Sequence, residues 1–209
     1  MAEQTGRFIT LEGIDGAGKS THLDFIRDWL TAHDIAAEFT REPGGTPLGE
    51  QIRALLLAVD TQVSLEAETL LMFASRQQLV SSLIRPALAA GRWVVSDRFT
   101  DSTFAFQGGG RGVPTQRIAQ LEDWVQQGLQ PDLTFLFDVP LEVASQRMSS
   151  NRQLDRFEQE KADFHQRVRD AYLQRASGDR RFRVLDATRS IAELQQDIAG
   201  HLAVLLEQH

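Results

Sequence analysis

Residues 13–20 read Gly13-Ile14-Asp15-Gly16-Ala17-Gly18-Lys19-Ser20, a complete G-x-x-x-x-G-K-S pattern. A loop of this kind curls its backbone N–H groups around phosphate oxygens. Glycine permits the curl, and a side chain at Gly18 is expected to block the close approach of a phosphate. A helix starting where the loop ends adds partial positive charge. Lys19 is then placed to bridge the β- and γ-phosphates of a nucleoside triphosphate, with the Ser20 hydroxyl on Mg²⁺. Lys19 is one of only two lysines in an arginine-rich chain, Lys161 being the other. A compact ammonium, not a planar fork, suits this position.

Such a loop fixes the phosphoryl donor and leaves the acceptor open. A guanine-reading N-K-x-D motif is excluded, because the one asparagine is Asn151. Outside the loop the one D-x-x-G spacing, Asp197 to Gly200, falls inside a helical pattern. Both points argue against a GTPase switch, and motor ATPases usually need a longer chain. A small-molecule kinase must neutralise a second substrate with arginines and close over it to exclude water. Arg41 and Arg53, then Arg98, then a cluster from Arg147 to Arg156 offer those cations. Asp97-Arg98-Phe99 follows a strand pattern directly, at the carboxyl end where α/β sheets bind ligands. There Asp97 could hold Mg²⁺ through water and Arg98 could grip an acceptor phosphate; a strand-end ion pair or a helix cap is the alternative.

Positioning these groups requires alternating strands and helices. Short apolar runs at Phe8–Glu12, Ala36–Thr40, Trp93–Ser96, Leu133–Val139 and Phe182–Leu185 read as strands. Several lack polar alternation, as buried parallel strands do. Helical spacing covers about 19–33, 48–59, 66–90, 115–127 and 157–176, and Ile191, Leu194, Ile198, Leu202 and Leu205 form the apolar face of a closing helix. Pro86 and the glycine runs Gly44-Gly45 and Gly108-Gly109-Gly110 read as punctuation. The pattern predicts one α/β domain over residues 1–209, with a parallel sheet between helices. The 209 residues suffice for one sizeable core, and 42% hydrophobic with 24% charged residues excludes wholesale disorder. A net charge of −7 argues against a nucleic-acid partner or an anionic membrane surface. The longest apolar run, Ala54 to Val59, is far short of the roughly 20 residues that span a bilayer. The amino-terminal residues carry no signal-peptide pattern, and the chain has no cysteine. A cytoplasmic setting is expected. The five histidines show no triad or metal spacing and receive no role.

Six blocks in order carry a family likeness: Leu11-Glu12 through Ser20-Thr21; Thr40-Arg41-Glu42-Pro43-Gly44-Gly45-Thr46; Phe73-Ala74-Ser75-Arg76; Ser96-Asp97-Arg98-Phe99; Gln107-Gly108-Gly109-Gly110-Arg111-Gly112; and Leu154-Asp155-Arg156-Phe157-Glu158. From residue 7 onward the chain resembles the bacterial thymidylate kinases, P-loop nucleoside monophosphate kinases that pass the γ-phosphate of ATP to dTMP. The resemblance implies a three-layer P-loop kinase fold with a five-stranded parallel sheet and a short arginine-bearing lid at about 147–157. It implies ATP on Gly13, Ile14, Asp15, Gly16, Ala17, Gly18, Lys19, Ser20 and Thr21, with Arg147 against the adenine face. Mg²⁺ is expected on Ser20 and Asp97.

For dTMP the resemblance implies Arg98 and Arg53 as the clamp on the 5′-phosphate, where a forked cation suits a dianion. Asp15 would reach the sugar 3′-hydroxyl, and Phe106 would crowd the 2′ position. Arg76 would read a thymine carbonyl and Gln107 the other polar edge, with Glu42, Pro43 and Thr103 around them. The family's aromatic lies four residues before that arginine; here Met72 takes that place and Phe73 comes three before. Phe73 is the expected stacking surface, and Met72 is expected in the core. In members with a non-arginine loop interior, as with Asp15, lid arginines stabilise the transferring phosphoryl group. Arg152 and Arg156 are the candidates, with Lys19, Asp15 and Arg98 completing the catalytic set. The family's usual homodimer is implied as well. Two rival readings are a kinase for another deoxynucleotide or deoxynucleoside, and an ATP-dependent switch or binding protein.

Overall fold

The computed structural model describes residues 6–60, 62–148 and 155–207. Five strands build one parallel sheet: β1 Phe8–Glu12, β2 Ala37–Arg41, β3 Trp93–Asp97, β4 Leu133–Asp138 and β5 Phe182–Asp186. The spatial order is β2-β3-β1-β4-β5. Every residue of β1 is buried, Thr10 and Glu12 included, as in a central strand covered on both faces, whereas the edge strands β2 and β5 are only partly covered. Because β1 leads first to one side of the sheet and later strands build the other, a crevice opens at the carboxyl ends beside β1. Glu12, Arg41 and Asp97 all end their strands at that edge.

The helices are α1 Lys19–Ala32, α2 Pro47–Leu57, α3 Leu65–Leu79, α4 Arg85–Ala89, α5 Thr100–Thr103, α6 Thr115–Gln126, α7 Leu141–Arg147, α8 Ala162–Ala176 and α9 Ile191–Glu207. α1 buries Lys19, His22, Ile26 and Leu30, and α9 buries Leu194, Ile198, Leu202 and Leu205, both at three-to-four-residue spacing. Ile26 and Leu30 of α1 and the four buried residues of α9 join Ile9, Leu11, Phe135 and Phe137 of the sheet in the main core.

Three local expectations need correction. The helical stretch from 66 to 90 is interrupted by a π-helical turn, Val80–Ile84, just before Pro86. The proline ring would clash with the carbonyl four residues back, and the widened turn moves that carbonyl away. The chain from Phe157 is not yet helical; α8 begins only at Ala162. Finally, Gly108-Gly109-Gly110 is no loop. α5 runs on into a second π-helical segment, Phe104–Gly110, whose glycines let α8 come close. A Cβ on Gly109 would sit 2.5 Å from the Ala171 Cβ, and one on Gly110 would sit 2.5 Å from Cε2 of Phe164.

Candidate active site

The loop after β1 leads into α1 through Gly18, whose φ of +91° L side chains rarely adopt. A Cβ there would meet no protein atom, so backbone conformation, not crowding by the fold, is what demands glycine. Lys19 is buried and donates from Nζ to the carbonyls of Gly13 and Ile14, both at 3.1 Å. Burial, then the Arg98 charge, pushes its pKa below the ordinary lysine value. Ser20 and Thr21 are exposed on the first turn.

Arg98 leaves β3 with φ +72°, a left-handed conformation that a non-glycine residue keeps only when its surroundings impose it. Its backbone N–H donates to Leu11 O at 2.9 Å. Its guanidinium donates from Nη2 to Asp15 Oδ1 at 2.8 Å, and from Nη1 to Gly13 O at 2.9 Å and Tyr172 OH at 3.1 Å. The Phe106 ring lies 4.8 Å from its Cζ. Burial opposes the charge on Arg98, but Asp15 and then Tyr172, Asp97 and Glu12 overcome it and hold the pKa above the usual arginine value. For Asp15 burial likewise works against ionisation, and Arg98 with Lys19 prevails, keeping the carboxyl below the usual range. Lys19 Nζ and Arg98 Nη1 share the Gly13 carbonyl oxygen.

Beneath Arg98 lies a carboxylate that sequence reasoning gave no role. Glu12 is fully buried; its Oε1 accepts from Phe99 N–H at 2.7 Å, and its Oε2 accepts from Ser102 Oγ at 2.6 Å and Tyr172 OH at 2.8 Å. Burial foremost, with Asp101 nearby, raises its pKa from 4.5 to about 7. The available signal was that Tyr172 is the sole tyrosine and Glu12 a charged residue inside a buried strand.

A cleft opens from Arg98 toward α3. Asp15, Glu42, Pro43, Arg53, Arg76, Arg98, Thr103, Phe106 and Gln107 all line it. Phe73 does not. It packs in a side core with Val113 and Ile118 and stacks under Arg76, 4.7 Å from its Cζ. Met72 lines the cleft instead, together with Phe99 and Phe157. Four residues place Met72 almost directly above Arg76 on the helix, whereas three rotate Phe73 away from the opening.

Arg76 donates from Nε to Glu42 Oε2 at 2.8 Å and from Nη2 to Thr103 Oγ1 at 3.0 Å. Its buried Nη1 and the buried Oε1 of Glu42 have no hydrogen-bond partner. Arg53 reaches Pro43 O at 2.9 Å. Gln107 donates from Nε2 to Oε1 of Glu68, at 2.9 Å. At the end of β3, the buried Oδ1 of Asp97 also lacks a partner.

The lid residues divide differently. Arg152 lies outside the described residues. Arg147 is exposed at the end of α7. Arg156 is not on the phosphate loop: its Nε donates to Leu56 O at 2.9 Å and its Nη1 pairs with Glu68 Oε2 at 2.7 Å. Glu68, buried and four residues before Met72, draws it to α2 and α3 instead.

The family model for thymidylate kinase matches residues 11–198. The chain belongs to the thymidylate kinase family. A protein named thymidylate kinase from Chromobacterium violaceum is 69% identical over 204 residues, covering 97% of this chain and 96% of its own. One of the same name from Cupriavidus necator is 58% identical over 203 residues, covering 96% and 99%. A third, from Neisseria gonorrhoeae, is 56% identical over 193 residues, covering 92% and 94%. Among the described residues of this thymidylate kinase family member, no helix is long and apolar enough to cross a membrane.

Proposed function

We propose that this kinase transfers the γ-phosphate of ATP to dTMP, giving ADP and dTDP. One observation carries the reading: the Lys19 ammonium and the Arg98 guanidinium converge on one carbonyl oxygen, at 3.1 and 2.9 Å. Their separation is bounded by two hydrogen-bond lengths, so a grip on the donor tail and a grip on the acceptor phosphate face each other across a single phosphoryl group.

No side-chain nucleophile is required. An ionised oxygen of the dTMP phosphate attacks the γ-phosphorus, the β–γ bridging bond breaks, and the electron pair leaves on ADP. Lys19 exchanges its loop carbonyls for β- and γ-oxygens. Arg98 and Arg53 hold the acceptor phosphate, and Asp15, kept ionised by Arg98, accepts a hydrogen bond from the sugar hydroxyl. Phe106, edge-on to Phe157, Phe164 and Tyr172, forms a fixed wall beside the sugar. The unpartnered Nη1 of Arg76 suits a pyrimidine carbonyl, with Met72 and Phe99 as apolar flanks.

The residues present fit Mg²⁺: the Asp97 Oδ1 is a buried acceptor without a donor, and Ser20 offers an exposed hydroxyl. Those two side chains would hold the ion, Asp97 through water. When bound, Mg²⁺ neutralises charge on the β- and γ-oxygens. Arg152 is the lid cation assigned to the transferring group, and Arg147 the one assigned to adenine. Arg156, committed to Glu68, anchors the lid's far end instead.

We read the chain as one kinase domain acting as a homodimer. Exposed apolar residues on three neighbouring helices support that state: Leu48 and Leu55 on α2, Leu70 on α3 and Trp124 on α6. A cytoplasmic setting belongs to the same reading, because ATP is supplied there.

The test is ADP release across dTMP, dUMP, dCMP, dGMP and thymidine. dTMP should be the best acceptor. Faster turnover of thymidine would defeat the reading, and ATP binding without acceptor-stimulated ADP release would favour a switch or binding protein.

A further inference from the structure

Glu68 is a buried carboxylate on α3 with no part in the transfer just described. Its Oε2 pairs with Arg156 Nη1 at 2.7 Å. Its Oε1 lies 3.5 Å from Arg111 Nε and accepts a hydrogen bond from Gln107 Nε2 at 2.9 Å. Two guanidiniums therefore face the carboxylate, and the third neighbour is an amide that lines the acceptor cleft.

An amide side chain has two ends of opposite polarity, and rotating it by half a turn exchanges donor for acceptor. Next to a carboxylate the choice is forced. Only the NH₂ end can approach Glu68, since the reversed amide would set oxygen against oxygen in a site sealed from water. With its nitrogen tied to Glu68, Gln107 has its carbonyl end left for a ligand.

We propose that Glu68 is a positioning residue that fixes the amide of Gln107 and thereby sets base selection in the acceptor cleft. The inference rests on Gln107 facing the base. A thymine-type edge presents an N3–H donor between two carbonyls, and the fixed carbonyl of Gln107 accepts from it. A cytosine-type edge presents an unprotonated N3, which that carbonyl repels. Arg76 works in the same sense, because a guanidinium N–H can satisfy an oxo group at position 4 but not an amino group. Neither reader can adapt to the wrong base: Glu42 and Thr103 hold Arg76, and Glu68 holds Gln107. Specificity of this kind is large because the wrong base leaves buried polar groups unpaired.

The experiment compares kcat and KM for dTMP and dCMP in wild type, Glu68→Gln, Glu68→Asp and Gln107→Leu. Glu68→Gln offers both polarities to Gln107 and so frees its amide to turn. Glu68→Asp keeps the charge for Arg111 and Arg156 but withdraws the oxygens by one methylene, and it carries the test should Glu68→Gln not fold. Each Glu68 variant should lower the dTMP-to-dCMP ratio of kcat/KM at least tenfold, mainly through the dTMP KM. A purely structural Glu68 would slow both nucleotides together, and an unchanged ratio in both variants overturns the proposal. Gln107→Leu separates the two layers. A raised dTMP KM there with an unchanged ratio in the Glu68 variants refutes Glu68 alone, while an unaffected dTMP KM in Gln107→Leu removes the base-reading role on which the proposal stands.

Discussion

Arg98 is held in a left-handed backbone conformation by a hydrogen bond to β1 and by the Glu12 bond to the next residue's N–H. That strain presents its fork beside Lys19. Arg98→Ala should raise the dTMP KM by about 10- to 100-fold, the worth of a charge-assisted contact, with a smaller change in KM for ATP. Lys19→Ala should lower kcat by about 10²–10³-fold, as loss of a preorganised charge at the transferring group does, while circular dichroism remains that of a folded protein. Glu12 contributes a pH dependence of opposite sign to an ordinary ion-paired carboxylate. Its folded pKa, about 7, exceeds its usual 4.5, so below 4.5 both folded and unfolded states bind the proton and nothing is lost. As pH rises from 4.5 toward 7 the unfolded chain releases that proton first, and about 3 kcal/mol of stability is lost. Urea unfolding between pH 4.5 and 7.5 should therefore show Glu12→Gln gaining on wild type as pH rises, with the gain levelling off above 7.

The π-helical segment Phe104–Gly110 carries Phe106 and Gln107 into the cleft and lies against α8, which carries Tyr172. Close approach of these two elements sets Phe106 edge-on to Phe164 and Tyr172. Alanine at Gly110 would drive a methyl into the Phe164 ring and Val168, and alanine at Gly109 would meet the Ala171 methyl. Each substitution should cost about 1–3 kcal/mol by overpacking, read as a lowered urea midpoint. Each should also lower dTMP turnover by spreading the wall around the sugar. α5 is fastened to the same region through Asp101, whose carboxylate pairs with Arg175 of α8 and Arg181 before β5. This ion-pair cluster ties the cleft wall to the far edge of the sheet.

The strand order β2-β3-β1-β4-β5 puts the phosphate loop and the Asp97-Arg98 turn on adjacent strands, with Leu11 paired to Asp97. The proposed donor and acceptor grips thus stand on neighbouring rigid elements, which favours precise alignment over a hinged arrangement. α3 contributes Met72 and Arg76 to the cleft and presents Leu70 to solvent, next to the 75% exposed Trp124 of α6. A dimer contact there would stiffen the acceptor wall. Sedimentation velocity should show a dimer at micromolar concentration, and Trp124→Arg should shift it toward monomer and lower the melting temperature.

Short-range pattern sufficed for much of this. The phosphate loop, its flanking strand and helix, and the position of Arg98 at a strand end follow from residue spacing, because backbone sterics and side-chain periodicity act within a few residues. Tertiary structure alone decided the rest. Whether Met72 or Phe73 faces the cleft depends on how α3 is rotated against its neighbours, and a helix apolar on several sides does not encode that rotation. Arg156 belongs to Glu68 and Leu56, and Glu12 to Tyr172, through contacts spanning about ninety to 160 residues of chain. Such pairings arise when the sheet order brings distant elements together, and no local propensity records them. Gly109 and Gly110 carry the same lesson: only α8, packed against them, explains why they lack side chains.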